Sequence, residues 1–199
     1  MLYSFARSLL VPIFFLLYNY RVIGSDNVPK DGGYIVCANH VSAIDPILVG
    51  VSLRKSMYFM AKSELFKNVF LRTLLNWINV FPVKRGEADI RSIKTSLKLL
   101  GSGKVLGLFP EGTRNKTSEI VAEPGIAMLA VKSKVPVLPV AIISSYKFFK
   151  KTKIVIGKPI ELTEYHGRKL LNEDYQKISH DIMNIINGLK RDMENGNNS

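Results

Sequence analysis

Short apolar runs alternate along the chain with longer segments whose apolar residues recur at helical spacing. Short runs of this kind, bounded by turn residues, are typical of buried strands. The predicted strands are Tyr34 to Ala38, Met57 to Ala61, Val80 to Val83, Val105 to Phe109, Val135 to Ile143 and Ile154 to Ile156. The predicted helices are Pro46 to Leu53, Leu65 to Ile78, Ile90 to about Gly101, Gly125 to Val131 and Tyr175 to Met193. Because parallel neighbours need crossover connections, this alternation predicts a single α/β domain with a mixed, largely parallel sheet flanked by helices.

The N-terminal segment follows a different pattern. From Leu9 to Tyr18 every residue except Pro12 is apolar or aromatic, and Arg7 and Arg21 flank the run. A helix of this length measures about 15 Å, roughly half the hydrocarbon thickness of a bilayer, so it is too short to cross one. Aromatic residues beside flanking arginines favour a helix that enters one leaflet at the membrane interface, which we assign to residues 1–20. A helix packed on the domain fits the same pattern.

Length and charge narrow the function classes. A chain of 199 residues is within the range of one domain, which we expect at residues 21–193, followed by a frayed tail at 194–199. The formal charge of +12 would attract polyanions. Lys and Arg are scattered from Arg7 to Arg191 without a nucleic-acid-binding motif, which favours anionic lipid and predicts no nucleic-acid partner. The single cysteine, Cys37, lies in a predicted buried strand and is expected to be structural.

The first candidate for chemistry is a histidine and an aspartate at the end of a predicted strand. His40 closely follows the strand Tyr34 to Ala38, where α/β sheets commonly bind ligands, and Asp45 precedes Pro46. On a continuous helix His40 and Asp45 would lie about 140° apart, so they can meet only across a strand-to-helix turn. Asp45 would then fix the imidazole tautomer and leave the other ring nitrogen to accept a proton. A helix-capping Asp45 beside an unrelated loop histidine gives the same spacing.

The second candidate is the polar segment after the strand Val105 to Phe109. Gly112 permits close backbone approach, Thr113 offers a hydroxyl, and Arg114 offers a planar fork suited to phosphate. Glu111 could orient this arginine. An ordinary polar turn with a surface ion pair is the alternative.

Four segments together resemble the conserved blocks of the glycerolipid acyltransferases. They are Asn39-His40 followed by Asp45, Phe81 to Gly86, Phe109 to Arg114, and Val135 to Val140, in the order and approximate spacing of that family. The similarity runs from about Arg21 to Ile160, and the sequence resembles the lysophosphatidic acid acyltransferases of bacterial phospholipid synthesis. Four ordered blocks are far more specific than any one of them.

The resemblance implies a role for each matching residue. His40 would be the general base and Asp45 its partner. The residues implied around the phosphate of the acceptor are Lys62, Arg85, Glu111, Gly112, Thr113 and Arg114. For Lys62, a solvated lysine at the start of a helix is an equal alternative. The chain departs from the family at Ala122 to Gly125, where a basic residue commonly precedes the glycine.

The implied reaction moves a fatty acyl group from acyl carrier protein or acyl coenzyme A to the sn-2 hydroxyl of lysophosphatidic acid. The implied enzyme needs no metal or redox cofactor and works on the cytoplasmic face of the cell membrane as a peripheral or monotopic protein, in contact with anionic lipid. Alternatives are another acceptor such as glycerol 3-phosphate, a noncatalytic basic lipid-binding protein, and a metal-dependent hydrolase using His40, Asp45 and Glu111.

Overall fold

The computed structural model describes residues 8, 12, 16, 20–53, 55–84, 89–110, 122–147 and 150–196. These residues form an α/β domain around a seven-stranded sheet, as the alternating pattern predicted. The strands are β1 (Tyr20–Ile23), β2 (Tyr34–Ala38), β3 (Met57–Lys62), β4 (Val80–Val83), β5 (Val105–Leu108), β6 (Val137–Ile143) and β7 (Thr152–Ile156). The α-helices are α1 (Asp45–Ser52), α2 (Val69–Trp77), α3 (Ile90–Gly101), α4 (Gly125–Ser133) and α5 (Asn172–Asn195), with short 3-10 helices at Ser25–Asn27, Ser63–Phe66 and Thr163–Tyr165.

The sheet is largely parallel, with the strand order β1-β7-β6-β2-β5-β3-β4. Only β6 and β7 pair antiparallel among the described strands. Strands β6, β2, β5, β3 and β4 therefore run in one direction and end at one side of the sheet, which we call the carboxyl edge. Loops that leave this edge carry ligand sites in open α/β sheets.

Helices cover both faces of the sheet, and the side chains of β2 show how. Tyr34, Val36 and Ala38 belong to one apolar cluster, whereas Ile35 and Cys37 belong to the other, and all five are buried. Helix α1 and the inner side of α2 pack on the first cluster, while α3, α4 and α5 pack on the second. Buried Cys37 agrees with its predicted structural place.

The structure departs from the predicted elements in three places, apart from shifts of one or two residues at the ends of strands and helices. The apolar run predicted as one helix from Leu65 to Ile78 is a 3-10 turn followed by α2, because Asn68 interrupts it and caps α2 by accepting a hydrogen bond from the Leu71 N–H at 3.0 Å. Strand β1 was not predicted. Helix α5 begins at Asn172 and continues to Asn195, inside the segment assigned to the tail.

Little of the N-terminal segment is described. Ser8, Pro12 and Leu16 have helical conformation and are exposed, and the other residues before Tyr20 lie outside the described part of the chain. Residues 197–199 of the predicted tail lie outside it as well. Among the helices that the structure describes, none combines the length and the apolar character needed to cross a membrane. Tyr20, which the prediction placed at the end of the interface helix, is instead the first residue of β1, and the rest of that helix stays a prediction.

Candidate active site

His40 and Asp45 form a hydrogen-bonded pair at the carboxyl edge. His40 lies two residues beyond β2, and Asp45 is the first residue of α1, with Pro46 directly after it. His40 Nδ1 and Asp45 Oδ2 are 2.8 Å apart, with 12% of the His40 side chain and none of the Asp45 side chain exposed. The predicted meeting across a strand-to-helix turn is therefore what the structure contains.

Both oxygens of the Asp45 carboxylate accept hydrogen bonds. Oδ2 accepts from the backbone N–H groups of Val41 and Ser42, each at 2.7 Å, in addition to His40 Nδ1. Oδ1 accepts from the hydroxyl of Tyr146. Because a carboxylate can only accept, Nδ1 of His40 carries the proton in their hydrogen bond, and in the neutral ring Nε2 holds the lone pair. Within the described part of the chain, Nε2 has no hydrogen-bond partner.

Tyr146 reaches the pair from the end of the neighbouring strand β6. Its φ angle is 51°, a region that non-glycine residues seldom adopt, and its backbone N–H donates to Ser144 Oγ at 3.0 Å. Ser144 Oγ lies 2.7 Å from Thr152 Oγ1, which ties this turn to β7. Tyr146 thus joins the pair because β6 lies next to β2 in the sheet, although it is far from Asp45 in the sequence.

Asn39 fixes the start of the loop that carries His40. Its side-chain N–H donates to the carbonyl of Ile142 at 3.0 Å, and its carbonyl oxygen accepts from the Ile142 N–H at 2.7 Å. The buried side chain thus imitates a backbone peptide and extends the pairing of β2 with β6 by one step. These two hydrogen bonds to β6 hold the chain in place directly before His40.

A row of aromatic rings lies behind the histidine. The ring of Phe109, which follows β5, stacks on His40 with centroids 4.3 Å apart, and Phe59 of β3 lies 6.5 Å from Phe109. Gly107 of β5 makes room for this row, because a Cβ there would come within 2.2 Å of the Phe59 ring. An alanine at this position would displace the ring that supports Phe109.

The other predicted site residues fall into two groups. Lys62, the last residue of β3, is exposed at the carboxyl edge, two strand spacings or about 10 Å from β2. The remaining five lie outside the described residues: Arg85, Glu111, Gly112, Thr113 and Arg114.

The described residues that flank these segments converge on the same edge. The segment 111–121 leaves from Pro110, next to Phe109, and returns at Glu123, whose N–H donates to the Pro110 carbonyl at 2.8 Å. Its two ends therefore meet beside the ring that stacks on His40. Glu123 itself is exposed, and with Ala122, Pro124 and Gly125 it forms the segment in which the sequence departs from the family pattern.

Asp89 closes the segment that contains Arg85. Its carboxylate accepts from the backbone N–H of Lys84 at 2.9 Å and from that of Ser92 at 3.1 Å. These hydrogen bonds, first the one from Lys84, hold the pKa of Asp89 below its ordinary value of 3.8. The carboxylate thus joins the end of β4 to the start of α3.

The described residues contain no group of three His, Cys, Asp or Glu side chains that could hold a metal ion. What they contain is a histidine with one ring nitrogen fixed by a buried carboxylate and the other without a described partner, at the same edge of the sheet as exposed Lys62. This arrangement can remove a proton from a bound hydroxyl group. Sequence reasoning found the histidine and the aspartate but missed Tyr146, Phe109 as a stacking partner, and the role of Asn39.

Comparison with known proteins identifies the family. The family model described as Acyltransferase matches residues 19–143. A 1-acyl-sn-glycerol-3-phosphate acyltransferase of Bacillus subtilis (strain 168) is 34% identical over 170 residues, which cover 82% of this chain and 85% of the relative. The protein of the same name from Borreliella burgdorferi is 32% identical over 138 residues, 67% of this chain and 54% of that relative.

The fold has a counterpart among solved structures. The crystal structure of the 1-acyl-sn-glycerophosphate (LPA) acyltransferase PlsC from Thermotoga maritima superposes with a TM-score of 0.68 at 26% sequence identity, over 96% of this chain and 77% of that one. The matching family model, the sequence identity to the two relatives and the shared fold all agree with the four ordered blocks. The chain belongs to the acyltransferase family.

Proposed function

We propose that the protein transfers a fatty acyl group from an acyl thioester to the sn-2 hydroxyl of lysophosphatidic acid, with His40 as the general base. The observation that carries the proposal is that His40 Nδ1 is bound to buried Asp45, while Nε2 has no hydrogen-bond partner among the described residues. The activities named for the relatives in Bacillus subtilis and Borreliella burgdorferi support the choice of acceptor.

The reaction needs a base because an alcohol is a poor nucleophile at neutral pH. Nε2 of His40 accepts the hydroxyl proton while the hydroxyl oxygen bonds to the thioester carbonyl carbon. The carbon–sulfur bond then breaks, the thiolate takes the proton back from the imidazolium, and phosphatidic acid and a free thiol are released. A positioned base contributes about 10² to 10⁴ in rate.

Asp45 serves the base in two ways. Its hydrogen bond to Nδ1 selects the tautomer with the lone pair on Nε2, and its negative charge stabilises the imidazolium that forms during attack. Tyr146, Val41 and Ser42 hold the carboxylate in the orientation that this requires. Tyr146 is therefore a positioning residue, which acts on the reaction only through Asp45.

Basic groups at the carboxyl edge would bind the phosphate of the acceptor. Lys62 is the described member of this set, and Arg85 with the segment Glu111 to Arg114 would complete it. Binding of the phosphate holds the acceptor hydroxyl toward His40, so that proton removal becomes effectively a unimolecular step within the bound complex.

Lys62 has a matched control for this role. Lys158 is also exposed, but it follows β7, which runs opposite to β6 and therefore ends at the other side of the sheet. Lys62→Ala should raise KM for lysophosphatidic acid several-fold with little change in kcat, whereas Lys158→Ala should leave both unchanged. Equal KM values for the two variants would show that Lys62 does not bind the acceptor.

We also propose that the enzyme works at the cytoplasmic face of the cell membrane, because its acceptor and its product carry acyl chains. The interface helix at residues 1–20 and the net charge of +12 would both favour an anionic surface. Removing residues 1–19, which leaves Tyr20 and strand β1 intact, should release the protein from anionic vesicles in a sedimentation assay. Unchanged sedimentation would contradict this anchor.

One assay tests the proposed substrates together. Purified protein is given acyl-acyl carrier protein or acyl coenzyme A with lysophosphatidic acid, glycerol 3-phosphate or lysophosphatidylcholine, and the lipids are measured by mass spectrometry. We expect phosphatidic acid from at least one thioester donor. Product from glycerol 3-phosphate alone would reassign the acceptor, and binding of anionic vesicles without any acyl transfer would indicate a noncatalytic lipid-binding protein.

A metal-dependent hydrolase is disfavoured by the bonding of Asp45. Zinc would have to replace hydrogen bonds that both carboxylate oxygens already accept from four protein groups. Typical catalytic zinc sites use three protein ligands and favour histidine. Acyl transfer should therefore persist in a chelator, and its loss with restoration by zinc would revive the hydrolase.

A further inference from the structure

Helix α2 carries an exposed apolar surface that no described part of the chain covers. Phe70 is 87% exposed, Trp77 60% and Leu74 52%. At 100° per residue these three positions fall within about 60° of one another around the helix, so they form one face. We call Phe70, Leu74 and Trp77 the α2 apolar face. A large aromatic surface left in water is unfavourable and indicates an interaction site.

The inner side of α2 already supplies the packing that holds this helix on the domain. Phe66, Leu75 and Ile78 lie partly buried against the first core cluster, the cluster that also packs against Phe109 and Tyr146 at the active site. No residue of α2 is fully buried. The α2 apolar face is thus not needed for folding, and it lies in the same layer of the domain as the histidine–aspartate pair.

The charges around this face favour an anionic partner. From Lys62 to Trp77 the exposed charged side chains are three cations, Lys62, Lys67 and Arg72, and one anion, Glu64. Tryptophan and phenylalanine flanked by Lys and Arg are typical of segments that lie at the boundary between lipid headgroups and acyl chains.

We propose that the α2 apolar face docks onto an anionic lipid bilayer and places the carboxyl edge at the membrane surface. The choice of lipid over protein rests on the proposed function, because an acceptor with an acyl chain has to reach His40 from a bilayer. Only the 3-10 helix Ser63–Phe66 and two further residues separate Lys62 from the start of α2, so a docked α2 would bring the candidate phosphate-binding lysine close to the headgroups. This contact is separate from the helix predicted at residues 1–20.

Trp77 reports on the docking directly, because it is the single tryptophan of the chain. Full-length protein is titrated with vesicles of phosphatidylglycerol and phosphatidylcholine, and with vesicles of phosphatidylcholine alone. We expect the Trp77 emission to shift to shorter wavelength with the anionic vesicles, and to be quenched when the phosphatidylcholine carries bromine on its acyl chains. Unchanged emission at lipid concentrations that sediment the protein would overturn the proposal.

A double substitution provides a second, independent measurement. Phe70→Ser with Leu74→Ser should weaken binding to the anionic vesicles at least about tenfold, because about 1.4 kcal/mol of lost burial already corresponds to that factor. Ile185→Ser is the matched control, since Ile185 is an exposed apolar residue of α5 in the opposite layer. Circular dichroism and thermal melting confirm that both proteins are folded. Equal affinity of the two variants would contradict the α2 contact.

The remaining outcomes separate this proposal from the proposed function. Turnover of a short-chain lysophosphatidic acid below its micellar concentration should be the same in the double variant and in wild type. A wild-type protein without acyl transfer but with a lipid response at Trp77 would refute the function and retain the docking. A dimer that the double substitution converts to monomer, without a response of Trp77 to lipid, would assign the face to a second copy and refute the docking.

Discussion

Asn39 offers a stability measurement whose size follows from two hydrogen bonds. Its side chain is 5% exposed and binds both the carbonyl and the N–H of Ile142, at 3.0 and 2.7 Å. Asn39→Ala leaves these two backbone groups without their partners in the core. Each unsatisfied buried group costs about 1 to 3 kcal/mol, so the free energy of unfolding should fall by about 2 to 6 kcal/mol.

The assay is thermal and urea unfolding of the variant and of a matched control. For a domain of this size each kcal/mol lowers the melting temperature by about 2 to 4 °C, so Asn39→Ala should lower it by at least about 4 °C. Asn184→Ala is the control, because the Asn184 side chain is exposed and makes its hydrogen bond to His180 on the surface of α5. That change should stay within about 0.5 kcal/mol of wild type.

Asn39→Asp separates hydrogen bonding from volume. The carboxylate keeps an acceptor for the Ile142 N–H, but it sets an oxygen instead of an N–H against the Ile142 carbonyl and buries a charge. We expect it to be at least as destabilising as Asn39→Ala. If both variants unfolded within 1 kcal/mol of the Asn184→Ala control, the double hydrogen bond would not hold the loop before His40.

Three further results are expected around the site. Asp45→Asn should fold, because an amide can accept at the Oδ2 position and donate to the Tyr146 oxygen. Loss of the negative charge should lower kcat by about 10² to 10⁴, as measured by thiol release. A kcat within twofold of wild type would contradict the role of the carboxylate. Tyr146→Phe removes one hydrogen bond to the Asp45 carboxylate, and a hydrogen bond to a charged group is worth about 1.5 to 3 kcal/mol. This change should lower kcat and leave KM unchanged, whereas Tyr175→Phe, in the opposite layer of the domain, should alter neither constant. The pKa of Asp89 is lowered in the folded protein because the Lys84 N–H donates to its carboxylate, so the ionised carboxylate stabilises the fold fully above pH 3.8, and this stabilisation is lost as the pH falls through the lower pKa of the folded state. The melting temperature of wild type should therefore fall more steeply below that pH than the melting temperature of Asp89→Asn, and an equal dependence on pH in the two proteins would refute this.

The sequence predicted the parts of the fold that local pattern determines. Strands β2 to β7 and the helices between them follow from short apolar runs and helical periodicity, apart from their exact ends. Strand β1 was missed because Tyr20–Ile23 is short, follows the apolar N-terminal segment after Asn19 alone, and is defined as a strand by its pairing with β7, whose residue Thr152 lies opposite Tyr20.

In the candidate site too, contacts between residues close in sequence could be predicted, whereas contacts between distant residues could not. His40 and Asp45 are five positions apart, so the geometry of a strand followed by a helix was enough to predict that they meet. Tyr146 is 101 positions from Asp45, and Ile142 is 103 positions from Asn39. Both contacts depend on β6 lying next to β2, and strand order is a nonlocal property that hydrophobic periodicity does not encode.

The break before α2 had a local signal that the apolar pattern concealed. Asn68 is a favourable N-cap residue, but the apolar residues on both sides of it suggested an uninterrupted helix. The exposure of Phe70 and Trp77 could not be predicted either, because an apolar stripe is normally assigned to the core. Only the packed structure distinguishes the side of α2 that meets the domain from the side that faces outward.

The most direct test of the central claim is the turnover of purified His40→Ala with an acyl thioester and lysophosphatidic acid. The variant should keep the circular dichroism spectrum of wild type, since His40 lies at a loop, while formation of phosphatidic acid should fall by about 10² to 10⁴ because the base is gone. A folded His40→Ala protein that forms phosphatidic acid at the wild-type rate would show that His40 does not remove the proton.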